Sequence, residues 1–423
     1  MIKTALRYGG WLFIGGLMAQ GFSYLGRLIM ISAMDSFTYG RFVLLWNFYL
    51  FILIFGHFNL HSPLVYRIQG NLGTLYSNKT LAYAALQLTF ITGTISSIAI
   101  VLYSMYLQYS VFIGLLLGFS LLMYSIFITL DGLSRSINQP NYGSLSYALI
   151  GLIRIFLISL IALGIIYSSS DYFVLAYIIP IYILPLPIFV LFWRKSGISI
   201  KNAFTKVYYK EIKWLIFSSF YVVISDLSKN GYLFFLVSFI AYTINIEALK
   251  VFDFIFTIIS LSALVLSNVG LTFIFLGQKI ENGNRFLRKL IIISFAILFP
   301  IGLIVSFLLN EFNVINIVMK LLNLSYSFSF INFITVDFVI CTQLTAFSSS
   351  GYLQGNGLFK NNGVSYLISL LISVFLTTIV NFTNIAGNIF SIGIFFLLVF
   401  IINSFFIVQN SKSPKLVERK VTS

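Results

Sequence analysis

Charged side chains inside apolar segments are the residues of this sequence best suited to chemistry. A charged group at the centre of a membrane helix costs roughly 2.5–3.5 kcal/mol on insertion scales, so such groups are by default candidates for binding a substrate, an ion or one another. Long apolar runs contain six of them, namely Arg27, Arg154, Asp226, Lys229, Asp253 and Asp337. These six are the candidate functional residues.

Arg27 and Arg154 are the candidates for binding an anion. Neither has a carboxylate within helical reach on its own helix, and a guanidinium offers a planar, bidentate fork that matches phosphate oxygens. Gln20, seven residues before Arg27, is expected on the same helical face as a polar companion. The structural alternative is that the arginines pair with Asp253 or Asp337 of other helices, or extend to the membrane surface.

The remaining charged candidates support two different interpretations. Asp226 and Lys229 are three residues apart, so they are neighbours on one helix. They form a local ion pair, or Lys229 faces a cavity as a further anion ligand while Asp226 tunes its charge. Asp253 is a second candidate for tuning or coupling. Asp337 is alone in its apolar run, and a desolvated carboxyl of this kind is a candidate carrier of a coupling proton.

Metal and cofactor binding are not expected. His57 and His61 have the i,i+4 spacing that can bind zinc, but no third ligand lies nearby in the sequence. A single cysteine, Cys341, excludes an internal disulfide and a cysteine-based metal site. No phosphate-binding loop of the form G-x-x-x-x-G-K-[ST] occurs. H+ or Na+ remains as the candidate coupling ion.

Membrane-spanning helices must position these residues, because the composition excludes a soluble protein. Of 423 residues 59% are hydrophobic and 9% charged, with a mean hydropathy of +0.99, whereas soluble domains carry about 25% charged residues. A spanning helix needs about 20 apolar residues, and the apolar runs are continuous, not alternating as in barrel strands. The runs predict twelve spans: Gly9 to Ala33, Phe42 to Val65, Leu81 to Leu107, Val111 to Leu130, Leu145 to Tyr167, Phe173 to Trp193, Trp214 to Tyr242, Val251 to Leu276, Leu290 to Leu309, Tyr326 to Phe347, Val364 to Val380 and Ile389 to Val408.

The basic residues predict the orientation of these spans. The net charge is +15, from 26 Lys and Arg against 11 Asp and Glu. With the N-terminus inside, twenty of the 26 fall in inside segments, and only Arg41, Lys250 and Lys320 lie in the outside loops or their margins. This is a strong positive-inside bias, and it predicts that both termini are cytoplasmic. Nucleic acid is not expected as a partner.

An internal repeat predicts two similar halves. The longest inside loop, residues 194–213, separates a six-helix bundle at 1–200 from a second at 201–423. At an offset of 219 residues, seven positions of Gly132 to Leu157 are identical to those of Gly351 to Leu376. Six helices are an even number, so the halves are parallel repeats, as in transporters with a substrate path between two halves. The predicted fold class is an all-α polytopic membrane protein of two six-helix bundles.

Two further features concern the shape of individual helices. Pro180, Pro185 and Pro187 crowd the sixth span, and each removes a backbone donor, so this helix is expected to be kinked. The kink acts as a hinge during gating or is static. Gly114 and Gly118 form a small-x-x-x-small pair that predicts a close helix contact.

Three stretches carry a family resemblance. The chain has a glycine-rich first helix followed by "MDSFTYGRFVLLWNFYLFIL", a seventh helix "FSSFYVVISDLSKNGYLFFLVSFI" around Asp226, and "LQGNGLFKNNG" after the tenth span. With these motifs it resembles, over nearly its whole length, the Wzx-type oligosaccharide flippases of bacterial polysaccharide synthesis. These belong to the multidrug/oligosaccharidyl-lipid/polysaccharide exporter superfamily.

The resemblance implies a V-shaped pair of bundles around a cationic central cavity in the bacterial inner membrane. The substrate would be an undecaprenyl-pyrophosphate-linked oligosaccharide, an O-antigen (lipopolysaccharide) or capsule repeat unit, moved from the inner to the outer leaflet by ion-coupled alternating access. By position, Arg27 corresponds to first-helix basic residues that meet the pyrophosphate, and Arg154 corresponds less closely. Membrane lipids, a polysaccharide polymerase and a chain-length regulator are the implied partners.

Two other functions remain as alternatives. An O-antigen polymerase, a glycosyltransferase, has a similar number of spans but typically has a large, Arg-containing outside loop, and no outside loop here is long or Arg-rich. A cation-coupled drug exporter of the same superfamily would favour acidic cavity residues, whereas both intramembrane charges of the first half are arginines. The expected function is therefore a transporter, not an enzyme.

Overall fold

The computed structural model is helical, with no strand among the residues that it describes. Gln20, His61, Pro185, Pro187 and the predicted domain boundary at residues 200/201 lie outside them. The described residues are 18, 21–60, 63–64, 67, 79–136, 141–166, 170–183, 204–260, 283–324, 326–380, 382 and 384–411.

In the described part of the chain twelve helices, α1 to α12 in chain order, overlap the twelve predicted spans. Within the described residues nine are long and apolar enough to cross a membrane; α1, α6 and α8 are described in part. The prediction of an all-α polytopic protein is confirmed. The helices are residues 21–33, Ser36–His57, Lys79–Tyr106, Val111–Ser136, Asn141–Ala162, Ser170–Ile183, Tyr209–Thr243, 248–260, Gly283–Glu311, Phe330–Gly355, Phe359–Val380 and Ile385–Ser411.

The chain forms two compact units, Met1–Lys250 and Val251–Ser423, here called the first and second units. The first unit includes α7, which packs along α2 and α3. A short helix, Val314–Leu321, lies between α9 and α10 in the second unit. The division into domains 1–200 and 201–423 stays a prediction.

A polar turn joins α1 to α2 in the first unit. The Asp35 carboxylate caps α2 by accepting a hydrogen bond from the Thr38 backbone N–H at 2.9 Å, and this bond lowers the pKa of Asp35 below its ordinary value. The carbonyl of Met34 accepts a hydrogen bond from Lys250 Nζ at 2.9 Å. The cap sets where α2 begins, and the lysine fixes the turn to the start of α8.

Gly40 allows the loop between α7 and α8 to lie directly on α2. A Cβ at this position would be 2.1 Å from the carbonyl oxygen of Ile246, which is far inside contact distance. The next residue, Arg41, donates to the carbonyl of Leu107 and lies over the Tyr109 ring at 4.8 Å. The Tyr-Gly stretch on which the family resemblance rests therefore has a packing role in this chain.

Small residues let α3 and α4 approach closely. A Cβ on Gly118 would be 2.8 Å from a Val101 methyl, and one on Gly114 would be 2.6 Å from Ser104 Oγ. Ser97 Oγ donates to the Gly118 carbonyl at 2.7 Å. The close contact predicted from the Gly114–Gly118 spacing is confirmed, and its hydroxyl-to-carbonyl bond is typical of membrane helix pairs.

In the second unit α9 contains a widened turn before a proline. Residues Ile292–Leu298 form a π-helical segment, in which the N–H of Phe299 donates to the Ser294 carbonyl five residues earlier. Pro300 follows at once and has no N–H to donate. The wider turn accommodates the proline, so the apolar helix continues to Glu311.

Helices α10 and α12 form the tightest helix pair of the second unit. A Cβ on Gly393 would be 2.6 Å from the ring of Phe338. Farther along the pair, Asn403 Nδ2 donates to Ser349 Oγ and Ser350 Oγ, both at 3.1 Å. Close glycine contact and short polar side chains thus join the two helices.

The internal repeat recurs in the placement of a polar residue and a tyrosine on neighbouring helices. In the second unit Ser350 Oγ donates to the hydroxyl of Tyr366 at 3.3 Å, which links α10 to α11. At the offset of 219 residues the equivalent residues of the first unit are Asp131 and Tyr147, and the Asp131 charge acts on Tyr147. Both units therefore place a polar residue of one helix beside a tyrosine of the next.

The approach of Ile246 to α2 predicts opposite effects of alanine at two helical glycines. Gly40→Ala should destabilise the protein by about 1–3 kcal/mol, because backbone must move to admit the methyl group. Gly21→Ala is the matched control, since no described atom lies within 4 Å of the position that its methyl group would take; it should be stabilising by about 0.5–1 kcal/mol. Thermal unfolding in one detergent measures both, and equal stability of the two variants would contradict the predicted contact.

Candidate functional site

Arg154 lies at the centre of the candidate site in the first unit, on α5, and is only 6% exposed. Its Nη1 donates to Ser23 Oγ of α1 at 2.8 Å, and its Nε donates to the Tyr177 carbonyl of α6 at 3.0 Å. The centre of the guanidinium is 3.9 Å from the Tyr177 ring centroid and 5.7 Å from that of Trp46 on α2. Four helices thus meet at one side chain.

The partners of Arg154 leave its charge uncancelled. No carboxylate within the described part of the chain forms an ion pair with it. Neutral dipoles and aromatic faces stabilise the buried cation instead. A buried group that keeps its positive charge is what an anion requires.

Arg27 shares a partner with Arg154. It lies on α1, is 8% exposed, and its Nε donates to the hydroxyl of Tyr177 at 3.2 Å. The structure therefore brings together the two arginines predicted to bind an anion, and does so through a tyrosine that the sequence did not single out.

Aromatic rings surround the two arginines. Trp46 stacks on Tyr49 at 5.1 Å and meets Tyr177 edge-on at 4.5 Å. Phe42 also meets Tyr177 edge-on, at 5.3 Å. The hydroxyl of Tyr49 pairs with Ser120 Oγ at 3.1 Å. This packing fixes the rings, and their faces offer apolar surface beside the cations.

Pro180 lies inside α6, three residues after Tyr177. A proline removes one backbone hydrogen bond and disturbs the preceding turn, and the Tyr177 carbonyl lies in that turn. Arg154 supplies a hydrogen bond to this carbonyl. The predicted position of Pro180 within a helix is confirmed, while its action as a hinge stays a prediction.

A second polar cluster lies where α2 ends. Phe58 and Asn59 both have positive φ, 48° and 47°, and the Asn59 backbone N–H donates to His57 Nδ1 at 3.0 Å. Asn59 Nδ2 donates to the Asp226 carboxylate on α7. The cluster therefore ties α7 to α2, and His57 stabilises the turn. Groups of three candidate metal ligands do not occur among the described residues.

Two further charged candidates are Lys229 on α7 and Asp253 on α8. Lys229 is half-buried one turn after Asp226, and its positive charge acts on that carboxylate, while the carboxylate's hydrogen bond comes from Asn59. Asp253 is 2% exposed on α8. Their roles in charge tuning and coupling stay predictions.

Asp337 lies on α10 in the second unit. Its carboxylate accepts a hydrogen bond from Ser306 Oγ of α9 at 2.7 Å, and a Cβ on Gly302, one turn earlier, would be 3.0 Å from it. No lysine or arginine forms an ion pair with Asp337 within the described segments. Its carboxyl is satisfied by a neutral group.

Asp131 is a buried charge that the sequence analysis did not predict. Asp131 is 4% exposed and forms an ion pair with Arg135 at 2.6 Å. The fourth span was predicted to end at Leu130, but α4 continues to Ser136. The i,i+4 spacing of the two residues was the available signal.

No family model matches the chain, and no curated protein sequence matches it. Solved structures do match. An inward-facing multidrug resistance MATE family transporter of the MOP superfamily has a TM-score of 0.71 at 18% identity, with 96% of each chain covered. A MOP superfamily transporter from Pyrococcus furiosus, described as having reversed polarity of its binding pocket that suggests a different function, has a TM-score of 0.64 at 15% identity over 98% of this chain and 96% of its own. A eukaryotic MATE transporter has 0.65 at 12%, over 98% and 99%.

These likenesses establish the fold. The chain is a multi-pass membrane protein with the fold of the MATE transporters, and the predicted architecture of twelve helices in two bundles is consistent with that fold. The fold alone assigns no role to Arg27 and Arg154, so their role has to be argued from the residues of this chain.

The Asn59–Asp226 contact makes a prediction that separates a hydrogen bond from an ion pair. Asn59→Gly keeps the positive φ without strain and leaves the carboxylate without its donor, so it should destabilise by about 1–3 kcal/mol. Asp226→Asn keeps an acceptor oxygen for Asn59 and should lose less. Thermal unfolding of the purified protein measures both. A larger loss for Asp226→Asn would show that the charge interaction with Lys229 dominates.

Proposed function

We propose that this protein is a transporter of the MOP superfamily that moves an anionic, lipid-linked oligosaccharide across a membrane by alternating access. The observation that carries the proposal is the pair of buried arginines joined by Tyr177 in the first unit. A pyrophosphate-linked sugar has an anion that suits guanidinium groups. The fold supports transport, and the site supports an anion as cargo.

In this proposal the substrate is an undecaprenyl-pyrophosphate-linked repeat unit of O-antigen or capsule, flipped from the inner to the outer leaflet of a bacterial inner membrane. The termini face the cytoplasm. A polymerase and a chain-length regulator would act on the delivered units. Arg27 and Arg154 bind the pyrophosphate, with Lys229 and Gln20 as further ligands. Asp226, Asp253 and Asp337 are the coupling and charge-tuning groups, with H+ or Na+ as the coupling ion.

A cation-coupled drug exporter is the second candidate, because multidrug MATE transporters share the fold. The uncancelled charge of Arg154 opposes a cationic cargo, since like charges repel strongly at low dielectric. The Pyrococcus furiosus transporter, with its reversed pocket polarity, is an instance in which this fold is described as carrying a different function. We therefore favour an anion as cargo.

Replacing Arg154 tests the proposal directly. Arg154→Gln, expressed in a strain that lacks the chromosomal copy, should lower surface polysaccharide at least tenfold and leave single lipid-linked repeat units on the inner leaflet, because the anion loses its guanidinium. Arg154→Lys should restore transport only partly, since an ammonium cannot form the bidentate contact. Polysaccharide immunoblots and extraction of lipid-linked sugars give the measurements.

Arg41→Gln is the matched control. Arg41 likewise donates to a backbone carbonyl and lies over a tyrosine ring, but it lies near the start of α2, and its partners Leu107 and Tyr109 belong to the connection between α3 and α4. The Arg41→Gln variant should leave surface polysaccharide near the wild-type level. Normal polysaccharide in an Arg154→Gln strain with normal protein levels contradicts the proposal. A deletion strain that keeps its polysaccharide but gains sensitivity to cationic drugs supports the exporter.

Asp337 provides a test of ion coupling. Asp337→Asn keeps a side chain that can accept from Ser306 but cannot exchange a proton, so transport should lose its dependence on the ion gradient. Flipping into inverted vesicles, with and without an imposed gradient, gives the readout. Glu311→Gln, an exposed carboxylate at the end of α9, is the control. Unchanged gradient dependence in Asp337→Asn would exclude this coupling role.

A further inference from the structure

Tyr177 of α6 has contacts with both arginines through three separate parts of the residue. Its carbonyl oxygen accepts a hydrogen bond from Arg154 Nε at 3.0 Å. Its ring lies 3.9 Å from the centre of the Arg154 guanidinium. Its hydroxyl accepts a hydrogen bond from Arg27 Nε at 3.2 Å. The phenol ring thus spans the distance between the two arginine contacts.

The packing around Tyr177 makes it a rigid spacer. The residue is 2% exposed, and its ring is held edge-on by Trp46 and Phe42. Two guanidinium groups repel each other at low dielectric and separate unless something holds them. A buried tyrosine whose ring and hydroxyl each engage one of the two arginines opposes that separation.

We propose that Tyr177 is the positioning residue of the anion site, which holds Arg27 and Arg154 at the separation that one diphosphate group needs. This inference rests on the proposed anion transport and adds to it the residue that pre-organises the site. Pre-organisation raises affinity because the cost of arranging the ligands is met during folding and not on binding. Tyr177 itself need not touch the anion.

The contacts of Tyr177 predict a graded response. Tyr177→Phe removes only the hydroxyl, so it takes this one hydrogen bond from Arg27 and leaves Arg154 on the carbonyl and ring. Tyr177→Leu also removes the ring and should release more. Tyr182→Phe is a matched control, since Tyr182 lies on the same helix as Tyr177 and its hydroxyl donates to the Leu116 carbonyl of α4 and not to an arginine.

The experiment measures binding of inorganic pyrophosphate to the full-length protein in lipid nanodiscs by calorimetry. Tyr177→Phe should weaken binding about five- to tenfold, Tyr177→Leu should weaken it more, and Tyr182→Phe should stay within about twofold of wild type. In an Arg27→Leu background, Tyr177→Phe should have little further effect, because leucine has no donor for the hydroxyl and the bond is already lost.

A second readout needs no ligand. Phenylglyoxal modifies accessible arginines, and mass spectrometry gives the labelling rate at each site. Arg27 should label faster in Tyr177→Phe than in wild type, with Arg154 unchanged, and neither rate should change in Tyr182→Phe. A purely structural effect of the substitution would change both arginines, or would appear equally in the control.

The outcomes separate the two proposals. If wild type binds pyrophosphate and Arg154→Gln does not, the anion site stands. Wild-type binding and labelling in Tyr177→Phe would then overturn the positioning role alone, as would equal losses in Tyr177→Phe and Tyr182→Phe. If wild type does not bind pyrophosphate, the anion site and the role of Tyr177 both fail.

Discussion

A guanidinium that is almost cut off from solvent sets the geometry of the first unit. Arg154 is 6% exposed in the interior of an apolar bundle, where leaving a charge without polar partners would be strongly unfavourable. Its hydrogen bonds reach α1 and α6, and its aromatic neighbours come from α2 and α6. The positions of two helices are therefore constrained by the donors of one side chain on a third, and α2 adds an aromatic ring to the same group.

Polar side chains also join the helices at other places where they meet. Within a bilayer core, helix association gains little from the hydrophobic effect, and close packing and short polar side chains replace it. Ser97 bonds the Gly118 carbonyl of a facing helix, and Asn403 bridges Ser349 and Ser350. Asn59 donates a hydrogen bond to Asp226 and so holds α7 against the end of α2. Glycine residues, which have no side chain, let the helices approach closely enough for such hydrogen bonds to form.

The sequence predicted the helices and the charged residues, but not their partners. Apolar runs and an intramembrane charge are local signals, so the twelve spans and the importance of Arg154 could be predicted from the sequence. The hydroxyls of Ser23 and Tyr177 are partners only because distant segments pack together, and nothing local distinguishes them from other polar residues in apolar helices. Asp131 was missed for a different reason, because hydropathy ends at Leu130 while the helical backbone does not. The contact between α3 and α4 could be predicted because the Gly114–Gly118 spacing places two small residues on the same face of one helix.

The type of partner separates charges that hold the fold from charges that are available to a ligand. Asp131 pairs with Arg135, and the two charges cancel. Arg154 and Asp337 each bond a serine hydroxyl instead, which accepts from the cation in one case and donates to the carboxylate in the other. At the position equivalent to Arg154, the second unit has Ser373, so the repeated fold does not repeat the charge. A neutral partner lowers the free energy of a buried ion without removing its net charge, and only a site that keeps its net charge can attract an ion of opposite sign. By that criterion the proposed anion binding depends on Arg154 in the first unit and the proposed ion coupling on Asp337 in the second, whereas the Asp131–Arg135 pair is part of the scaffold.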